Sequence, residues 1–238
     1  MQGLLLVDKP AGWTSFDVVN YVRRIVATHE GKKPKNVKVG HTGTLDPFAT
    51  GLLVLLVGKE YTRRAGELSK LDKTYEVTMK LGFGSTTGDP EGEITAVPGT
   101  APTPEALQGA VERFRGQIEQ IPPAYSAIKI NGQRAYKLAR EGKEVVIEPR
   151  KVTINSLEVM SYDYPEVKLI ADVSSGTYIR TLVEDIAKSL GTVGYTKELR
   201  RTEVDKFGIN DATPVNQLDV DQVAKLLKQS QSIFGTTP

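Results

Sequence analysis

An aspartate within a glycine-rich stretch is the strongest candidate for chemistry in this sequence. Asp46 lies in the segment Gly40-His41-Thr42-Gly43-Thr44-Leu45-Asp46-Pro47-Phe48-Ala49-Thr50-Gly51, and the apolar run Leu52–Val57 follows directly. Proline disfavours helical backbone at the preceding residue, so we expect Asp46 on an extended or turning loop. The glycines permit a sharp path or the close approach of another backbone. A carboxylate presented in this way can act as a nucleophile or a base, whereas the simpler interpretation is a turn in which Asp46 bonds its own backbone.

Arg180 is a second candidate, in the segment Ser174-Ser175-Gly176-Thr177-Tyr178-Ile179-Arg180-Thr181-Leu182. The four-residue spacing of Leu182, Ile186 and Leu190 predicts a helix that begins near Tyr178. The helix dipole disfavours an arginine in the first turn, which suggests that another group holds it there. A buried carboxylate would do so and would itself stay ionised. The alternative is a solvent-exposed arginine.

Tyr75 and Lys9 each allow two interpretations. The alternation of Lys73–Leu81 predicts a half-buried strand with Tyr75 on its apolar face. The tyrosine is then either part of the core or a ring placed against the base of a ligand. Lys9 follows a short predicted strand, Leu4–Val7, and is either a solvated turn lysine or a contact to phosphate.

Basic residues cluster in two places. Segment 29–39 contains four lysines and one glutamate, and is either a solvated linker or a guide for an anionic substrate. Residues 129–151 contain seven Lys or Arg against three Glu, with Lys129 and Arg134 on either side of an Asn131-Gly132 turn. A basic hairpin and helix with an aromatic residue suits a nucleic-acid clamp, and the alternative is a surface helix anchored by Tyr136.

Composition limits the classes of function. The length of 238 residues fits one large domain or a domain with a small appendage. The net charge of +2 means that a polyanion site must arise from local clustering. Cysteine is absent and there are two histidines, which excludes disulfides, thiol nucleophiles and zinc sites built from Cys or several His. The N-terminus has no signal-like apolar stretch and no run reaches membrane length, so we expect a cytoplasmic protein.

The remaining pattern predicts alternating strands and helices. The predicted helices are 15–27 with a Thr14–Asp17 capping box, 60–69, a helix that starts at Thr103-Pro104, a basic helix that ends at Gly142, and Val220–Lys228. Further predicted strands are Leu52–Val57, Ile94–Val97, two strands within Val145–Tyr162, and Val167–Val173. Residues 82–92 form a turn-rich connection without a nucleotide-loop ending, and residues 229–238 a frayed tail.

Several of these segments resemble the motifs of TruB-type tRNA pseudouridine synthases, in the family's order. The segment around Asp46 is similar to the catalytic motif, Asp8-Lys9-Pro10-x-Gly12 to the N-terminal motif, and Lys73-x-Tyr75 to the second motif. Gly176–Leu182 resembles the third motif, although Val173 stands where many relatives have cysteine. Residues 122–129 resemble a segment of a mobile RNA-gripping element, and Leu199-Arg200-Arg201 a segment that touches the target base.

The resemblance implies a role for each matching residue. Asp46 would be the nucleophile, kept ionised by Arg180, while Tyr75 packs on the target base and helps to remove the C5 proton. His41 would occupy the space that the flipped base vacates. The other implied substrate contacts are Tyr178, Leu199, Lys9, Lys129 and Arg134. The nucleophile attacks either C1′ of the sugar or C6 of the base, and the sequence leaves both open.

The implied fold is α+β, with a central mixed, mainly antiparallel sheet, flanking helices and a catalytic cleft. Residues 1–210 would form the catalytic domain, with 120–145 (the gripping segment) as its mobile element, and 211–238 a short helical tail without a PUA domain. The implied reaction isomerises uridine at position 55 in the T-loop of tRNA, without cofactor or metal. We expect a monomer that binds the T-arm stem-loop and no membrane. Two alternatives are a non-catalytic tRNA-binding module and a glycoside hydrolase that pairs Asp46 with Asp89, Glu91 or Asp185.

Overall fold

The computed structural model describes residues 1–126, 128–130, 132–143 and 145–233. The chain divides into two compact units, residues 1–75 with 200–238 and residues 76–199. The helices of the described residues are α1 (Ser15–His29), α2 (Lys59–Arg63), α3 (Ala65–Leu68), α4 (Pro104–Arg113), α5 (Ala135–Arg140), α6 (Ile179–Ser189) and α7 (Val220–Ile233).

The strands vary from two to fourteen residues in length. They are β1 (Gly3–Lys9), β2 (Val39–His41), β3 (Thr50–Val57), β4 (Lys73–Leu81), β5 (Phe83–Ser85), β6 (Ile94–Ala96), β7 (Gly116–Gln120), β8 (Lys129–Ile130), β9 (Gln133–Arg134), β10 (Arg150–Asp163), β11 (Glu166–Val173), β12 (Gly194–Val204), β13 (Phe207–Gly208) and β14 (Thr213–Pro214).

The first unit is built on β3, which is buried along nearly its whole length. The strand order is β14-β1-β3-β12, and β2 also pairs with β3. β1 runs antiparallel to β3, whereas residues 200 and 201 of β12 run parallel to it. Alternate residues of β1 enter two different apolar clusters, one with Leu5 and Val7 and one with Leu4 and Leu6. The strand is therefore apolar on both faces, as a covered strand requires.

Helix α1 covers one face of this unit together with α7. Its N-terminus has the predicted capping box, because the Thr14 hydroxyl accepts from Asp17 N–H while the Asp17 carboxylate accepts from Thr14 N–H. Val18, Val22 and Val26 form its buried stripe. This helix therefore begins where the sequence indicates.

The second unit has the strand order β12-β4-β11-β10-β7. β10 pairs antiparallel with both β11 and β7. Helix α4 starts at Pro104 with Thr103 as its N-cap, as predicted. In helix α6 the buried residues include Leu182, Val183 and Ile186. The predicted fold class, α+β with mixed and mainly antiparallel β structure and flanking helices, is confirmed.

Three predicted elements were wrong in detail. Two strands were predicted within 145–162, whereas residues 150–163 form one strand, β10, whose alternation is interrupted by register shifts at Ile154/Ser156 and Val159/Ser161. The helix predicted at 60–69 is two short helices that meet at Arg64. Helix α7 extends to Ile233, five residues beyond the predicted end.

Candidate active site

The Asp46 segment is a loop between β2 and β3. His41, at the end of β2, pairs with Leu55, and Thr42 N–H donates to Val54 O at 3.1 Å, so the loop leaves β3 and returns to it. Asp46 is half-buried, and its carbonyl accepts from Ala49 N–H at 3.1 Å in a tight turn. The prediction of a turning loop is correct.

The start of α1 holds the first half of this loop. The hydroxyl of Ser15 donates to Leu45 O at 3.0 Å and accepts from Leu45 N–H at 2.8 Å. Ser15 and Leu45 are both buried. One side chain thus satisfies both backbone groups of the residue that precedes Asp46, so the backbone there is fixed without a regular element.

The turn after β1 holds the residue on the other side of Asp46. Gly12 N–H donates to Pro47 O at 2.8 Å. The ammonium of Lys9 donates to the carbonyls of Pro10 at 2.9 Å, Trp13 at 2.6 Å and Pro47 at 3.3 Å.

Lys9 itself is fully buried, so the interpretation as a solvated turn lysine was wrong. Its contact to phosphate stays a prediction, and burial among carbonyl groups argues against it. In the structure, Lys9 instead connects the turn after β1 to the loop of Asp46, because its ammonium donates to carbonyl groups of both.

Arg201 holds the loop from β12. Its guanidinium donates to Leu52 O at 2.7 Å and to Gly43 O at 3.1 Å, and the residue is 1% exposed. The close parallel approach of β12 to β3 requires glycine at position 51, where φ is +103° and an added Cβ would lie 2.3 Å from Arg201 O. Gly51 therefore allows the contact between β3 and β12 that places the Arg201 side chain within hydrogen-bond distance of the loop.

Lys73 lies close to the same loop, at the start of β4. It is 7% exposed, and its ammonium donates to Ser69 O at 3.0 Å and to Leu71 O. Burial, followed by the charge of Arg201, lowers the pKa of Lys73 to about 8. Tyr75 follows on the same strand and is also buried.

Arg180 of the second unit is buried in the first turn of α6. Its guanidinium donates to Thr87 O at 2.8 Å and to Tyr125 O at 2.7 Å, and its Nη1 lies 3.1 Å from Asp89 Oδ2. Both charged side chains are about 95% buried. The inferred presence of a buried carboxylate partner is correct in kind, and Asp89 is such a partner.

Tyr178 is held by Gln120, the last residue of β7. The Gln120 amide accepts from Tyr178 N–H at 2.7 Å and donates to Tyr178 O at 3.0 Å. Gln120 is 1% exposed. Tyr178 is the N-cap of α6 and is half-buried, so this clamp fixes the residue that enters the helix.

The gripping segment forms the short hairpin β8–β9 and helix α5. Ala135 N–H donates to Ile128 O and Tyr136 N–H to Ser126 O, which closes the hairpin onto the helix. Arg134 is exposed and is the N-cap of α5. The side chain of Lys129 lies outside the described part, and so does Asn131 of the predicted turn.

The predicted residues thus lie in both units. Lys9, His41, Asp46 and Tyr75 belong to the first, while Tyr178, Arg180 and Leu199 belong to the second with Lys129 and Arg134. Leu199 is buried on β12. The site roles of these residues, including the pairing of Arg180 with Asp46, stay predictions.

Sequence reasoning did not identify several residues that position the candidates. Asp89, Gln120, Ser15 and Arg201 hold Arg180, Tyr178, Leu45 and Gly43 respectively. Asp89 appeared as an acid in the glycoside-hydrolase alternative. Its carboxylate accepts from Thr87 Oγ1 at 2.6 Å and from Glu91 N–H at 3.0 Å besides facing Arg180. The feature of the sequence that could have pointed to Asp89 is its place beside a Gly-rich turn.

Neither a metal centre nor a membrane-spanning helix is found among the described residues. Among the described residues, no group of three or more His, Cys, Asp or Glu is arranged to hold a metal ion. None of the helices within that part of the chain has the length and apolar character needed to cross a membrane.

Two family models match adjacent parts of the chain, which together span residues 30–232. TruB family pseudouridylate synthase (N terminal domain) matches residues 30–179, and tRNA pseudouridylate synthase B C-terminal domain matches residues 180–232. The chain is 46% identical over 221 residues to tRNA pseudouridine synthase B of Mycobacterium sp. (strain KMS), which covers 91% of this chain and 71% of that protein. It is also 41% identical over 245 residues to tRNA pseudouridine synthase B of Ralstonia pickettii (strain 12J). That match covers 100% of this chain and 74% of the Ralstonia protein.

Among solved structures, a chain of a Cbf5-Nop10-Gar1 complex is similar, with a TM-score of 0.68 and 29% identity. The match covers 92% of this chain and 54% of that one, so the present chain spans about half the length of the solved relative.

Proposed function

This chain belongs to the TruB family of pseudouridylate synthases, and we propose that it isomerises uridine to pseudouridine at position 55 in the T-loop of tRNA. The family membership and the isomerase class predicted from the motifs are confirmed by the two family models and the curated relatives. The observation that best supports the proposal for this chain is the loop of Asp46, which is bonded on both sides of the aspartate.

The first step of the proposed reaction brings the uridine out of its stack. Unstacking and unpairing cost a few kcal/mol, which protein contacts must offset. In the proposal His41 and the gripping segment occupy the vacated space and hold the T-loop open. The exposed Arg134 and the basic surroundings of α5 suit contact with phosphates of the T-arm.

Asp46 then attacks the nucleoside, at C1′ of the sugar or at C6 of the base. The glycosidic N1–C1′ bond breaks, the base turns, and a C5–C1′ bond forms while the proton on C5 is lost and N1 gains one. Electrons and atoms balance within one nucleoside, so the proposed reaction uses no redox cofactor, metal or ATP. Tyr75 and Tyr178 hold the detached base, and Tyr75 assists removal of the C5 proton.

Asp46 must be ionised and correctly aimed for this role. In the proposal Arg180 keeps the Asp46 carboxylate charged, as the family resemblance implies. The bonds from Ser15, Gly12, Lys9 and Arg201 support the aim, since a nucleophile held in a near-attack position avoids much of the entropic cost of reaction.

The decisive experiment incubates the protein with unmodified tRNA and maps pseudouridine along the product. We expect a single modified position in the T-loop. With Asp46→Asn the yield should fall at least about 1,000-fold, while RNA affinity and thermal stability stay close to wild type. An active Asp46→Asn protein would remove the nucleophile assignment.

The same experiment tests the alternative of a non-catalytic tRNA-binding module. Such a module would bind the T-arm with similar affinity and leave every uridine unchanged. Modification at a position outside the T-loop would keep the reaction and overturn the proposed target.

A further inference from the structure

The first unit contains a cavity that the proposed chemistry does not use. Its volume is about 560 Å³, within the range of pockets for small ligands. The lining residues come from β1 and the turn after it, from α1, β3 and β12, and from residues 214–216. All of them belong to the first unit.

An ion pair forms one wall of the cavity. Arg200 Nη1 lies 3.1 Å from Asp8 Oδ1 and Nη2 lies 2.7 Å from Asp8 Oδ2, a bidentate arrangement that fixes the guanidinium plane. Nη1 also lies 3.4 Å from Thr50 Oγ1. These three contacts use three of the five N–H groups of the guanidinium. Both side chains are partly exposed, at 37% for Arg200 and 25% for Asp8.

An aromatic ring forms a second wall. Trp13 is half-buried, and the Tyr21 ring meets it edge to face with centroids 5.9 Å apart. The Tyr21 hydroxyl donates to Leu218 O at 3.1 Å, and Trp13 O accepts from the Lys9 ammonium. The indole is therefore held in place before any ligand arrives. Asn216, which is exposed, adds an amide with both donor and acceptor groups.

The charges at this cavity select the kind of ligand. Asp8 compensates Arg200, and the ammonium of Lys9 is fully buried among carbonyl groups. A compensated pair offers little net attraction to an isolated phosphate. It does offer both an acceptor and donors in one plane, next to an indole face, which suits the edge and face of a neutral planar heterocycle.

We propose that this cavity binds the base of one RNA nucleotide other than the target uridine. The inference rests on the proposed function, since RNA reaches the cavity as part of that substrate. The cavity adjoins the nucleophile loop, because Thr50 ends that loop and the turn that contains Trp13 bonds Pro47 O. A base held here would anchor the RNA chain close to the loop of Asp46.

The test uses Trp13, the single tryptophan of the chain, as a fluorescence reporter. Wild-type protein is titrated with a T-arm stem-loop and with a panel of the same RNA, each with one abasic nucleotide outside the target position. Asn216→Ala is compared with Gln217→Ala, an exposed neighbour that does not line the cavity. We expect the intact RNA to change Trp13 fluorescence, and Asn216→Ala but not Gln217→Ala to weaken its binding about fivefold.

The panel identifies the bound base. One abasic RNA should bind wild type about tenfold more weakly and should no longer distinguish wild type from Asn216→Ala. The inference is overturned if Asn216→Ala weakens every RNA of the panel equally, or if saturating intact RNA leaves Trp13 fluorescence unchanged.

A second arm separates RNA from free nucleotides and from anions. Nucleoside monophosphates and inorganic phosphate are titrated alone. A response to phosphate, or a response to monophosphates with none to RNA, overturns the inference. Pseudouridine yield on intact tRNA is measured in parallel with wild type. If no pseudouridine forms while one abasic RNA behaves as expected, the proposed function fails and the base site stands. If pseudouridine forms in normal yield but RNA leaves Trp13 fluorescence unchanged, the base site fails and the proposed function stands.

Discussion

The loop of Asp46 and the gripping segment are fixed to their own units in very different ways. Backbone groups at Gly43, Leu45 and Pro47 are bonded by buried or nearly buried partners from three parts of the first unit. In the gripping segment the two strands have two residues each, and Ala135 is the buried residue of α5 among those described. At the base of this segment, Tyr125 O accepts from the buried Arg180 at 2.7 Å.

This difference separates two tasks. A nucleophile must be held to within a fraction of an ångström, which satisfied buried hydrogen bonds achieve. A segment that grips RNA must fit a partner of variable surface, and short strands with few buried apolar side chains open locally at low cost. Variants at the fastenings should therefore act on stability and turnover, and variants at the exposed end on RNA affinity.

The largest effect is expected at the base of the gripping segment. Asp89→Asn removes the charge of Asp89 from its buried ion pair with Arg180, which we expect to destabilise the protein by about 3 kcal/mol. Urea unfolding measures the change. The control is Glu93→Gln, an exposed residue of the same turn region that should stay within about 0.5 kcal/mol. If the free energy of unfolding of Asp89→Asn equals that of wild type, the ion pair between Arg180 and Asp89 does not stabilise the base of the segment.

The next effect concerns the loop of Asp46. Ser15→Ala removes one hydroxyl and leaves both backbone groups of Leu45 without their partner, which should cost about 2 kcal/mol. We expect kcat to fall about tenfold while RNA affinity is kept. Unfolding curves and initial rates measure both quantities, with the exposed Ser161→Ala of β10 as the matched control. A loss of RNA affinity with normal kcat would contradict the separation of tasks.

Lys73 makes the stability of the first unit depend on pH. Its pKa is lowered to about 8 by burial, whereas an unfolded lysine titrates near 10.4. Between these values the unfolded chain binds more protons, so the free energy of unfolding should rise with pH relative to Lys73→Met. After allowance for solvent screening we expect a gain of about 1 to 2 kcal/mol between pH 8 and 10.

Below about pH 7.5 the two curves should run parallel, because Lys73 is then charged in both states. Lys70→Met, at an exposed neighbouring position, should follow wild type throughout. Parallel curves for Lys73→Met and wild type over the whole range would show that the ammonium is well hydrated.

The smallest effect on stability is expected at the exposed end of the gripping segment. Arg134→Ala should leave the free energy of unfolding within about 0.5 kcal/mol of wild type. It should weaken binding of a T-arm stem-loop about threefold at low salt, with a weaker salt dependence. The control is Arg113→Ala, an equal loss of charge at an exposed position on α4. Equal losses of RNA affinity for the two variants would indicate a general effect of net charge rather than a contact made by Arg134.

Local patterns predicted local features well. The capping box of α1, the Thr103-Pro104 start of α4 and the turn at Asp46 all depend on neighbours within a few residues. The bulges of β10 were missed because they depend on its partner strand, not on its own alternation. The short polar strand β7 was missed because Gly116–Gln120 shows no apolar period.

The positioning residues were missed for a related reason. Ser15 lies 30 residues from Leu45, Gln120 lies 58 from Tyr178, and Arg180 lies 93 from Thr87. No periodicity or spacing within one chain segment indicates such pairs. The motif resemblance located the candidate chemical groups, while the groups that hold them follow from the fold.

The two bonds from Arg201 span 149 and 158 residues of sequence. On the ribosome, the loop of Asp46 emerges long before the strand that completes it. We therefore expect a nascent chain stalled ahead of residue 200 to present an unfinished loop, open to proteases, even when β1 and β3 are already synthesised. The loop would be completed only when β12 leaves the exit tunnel and settles beside Gly51.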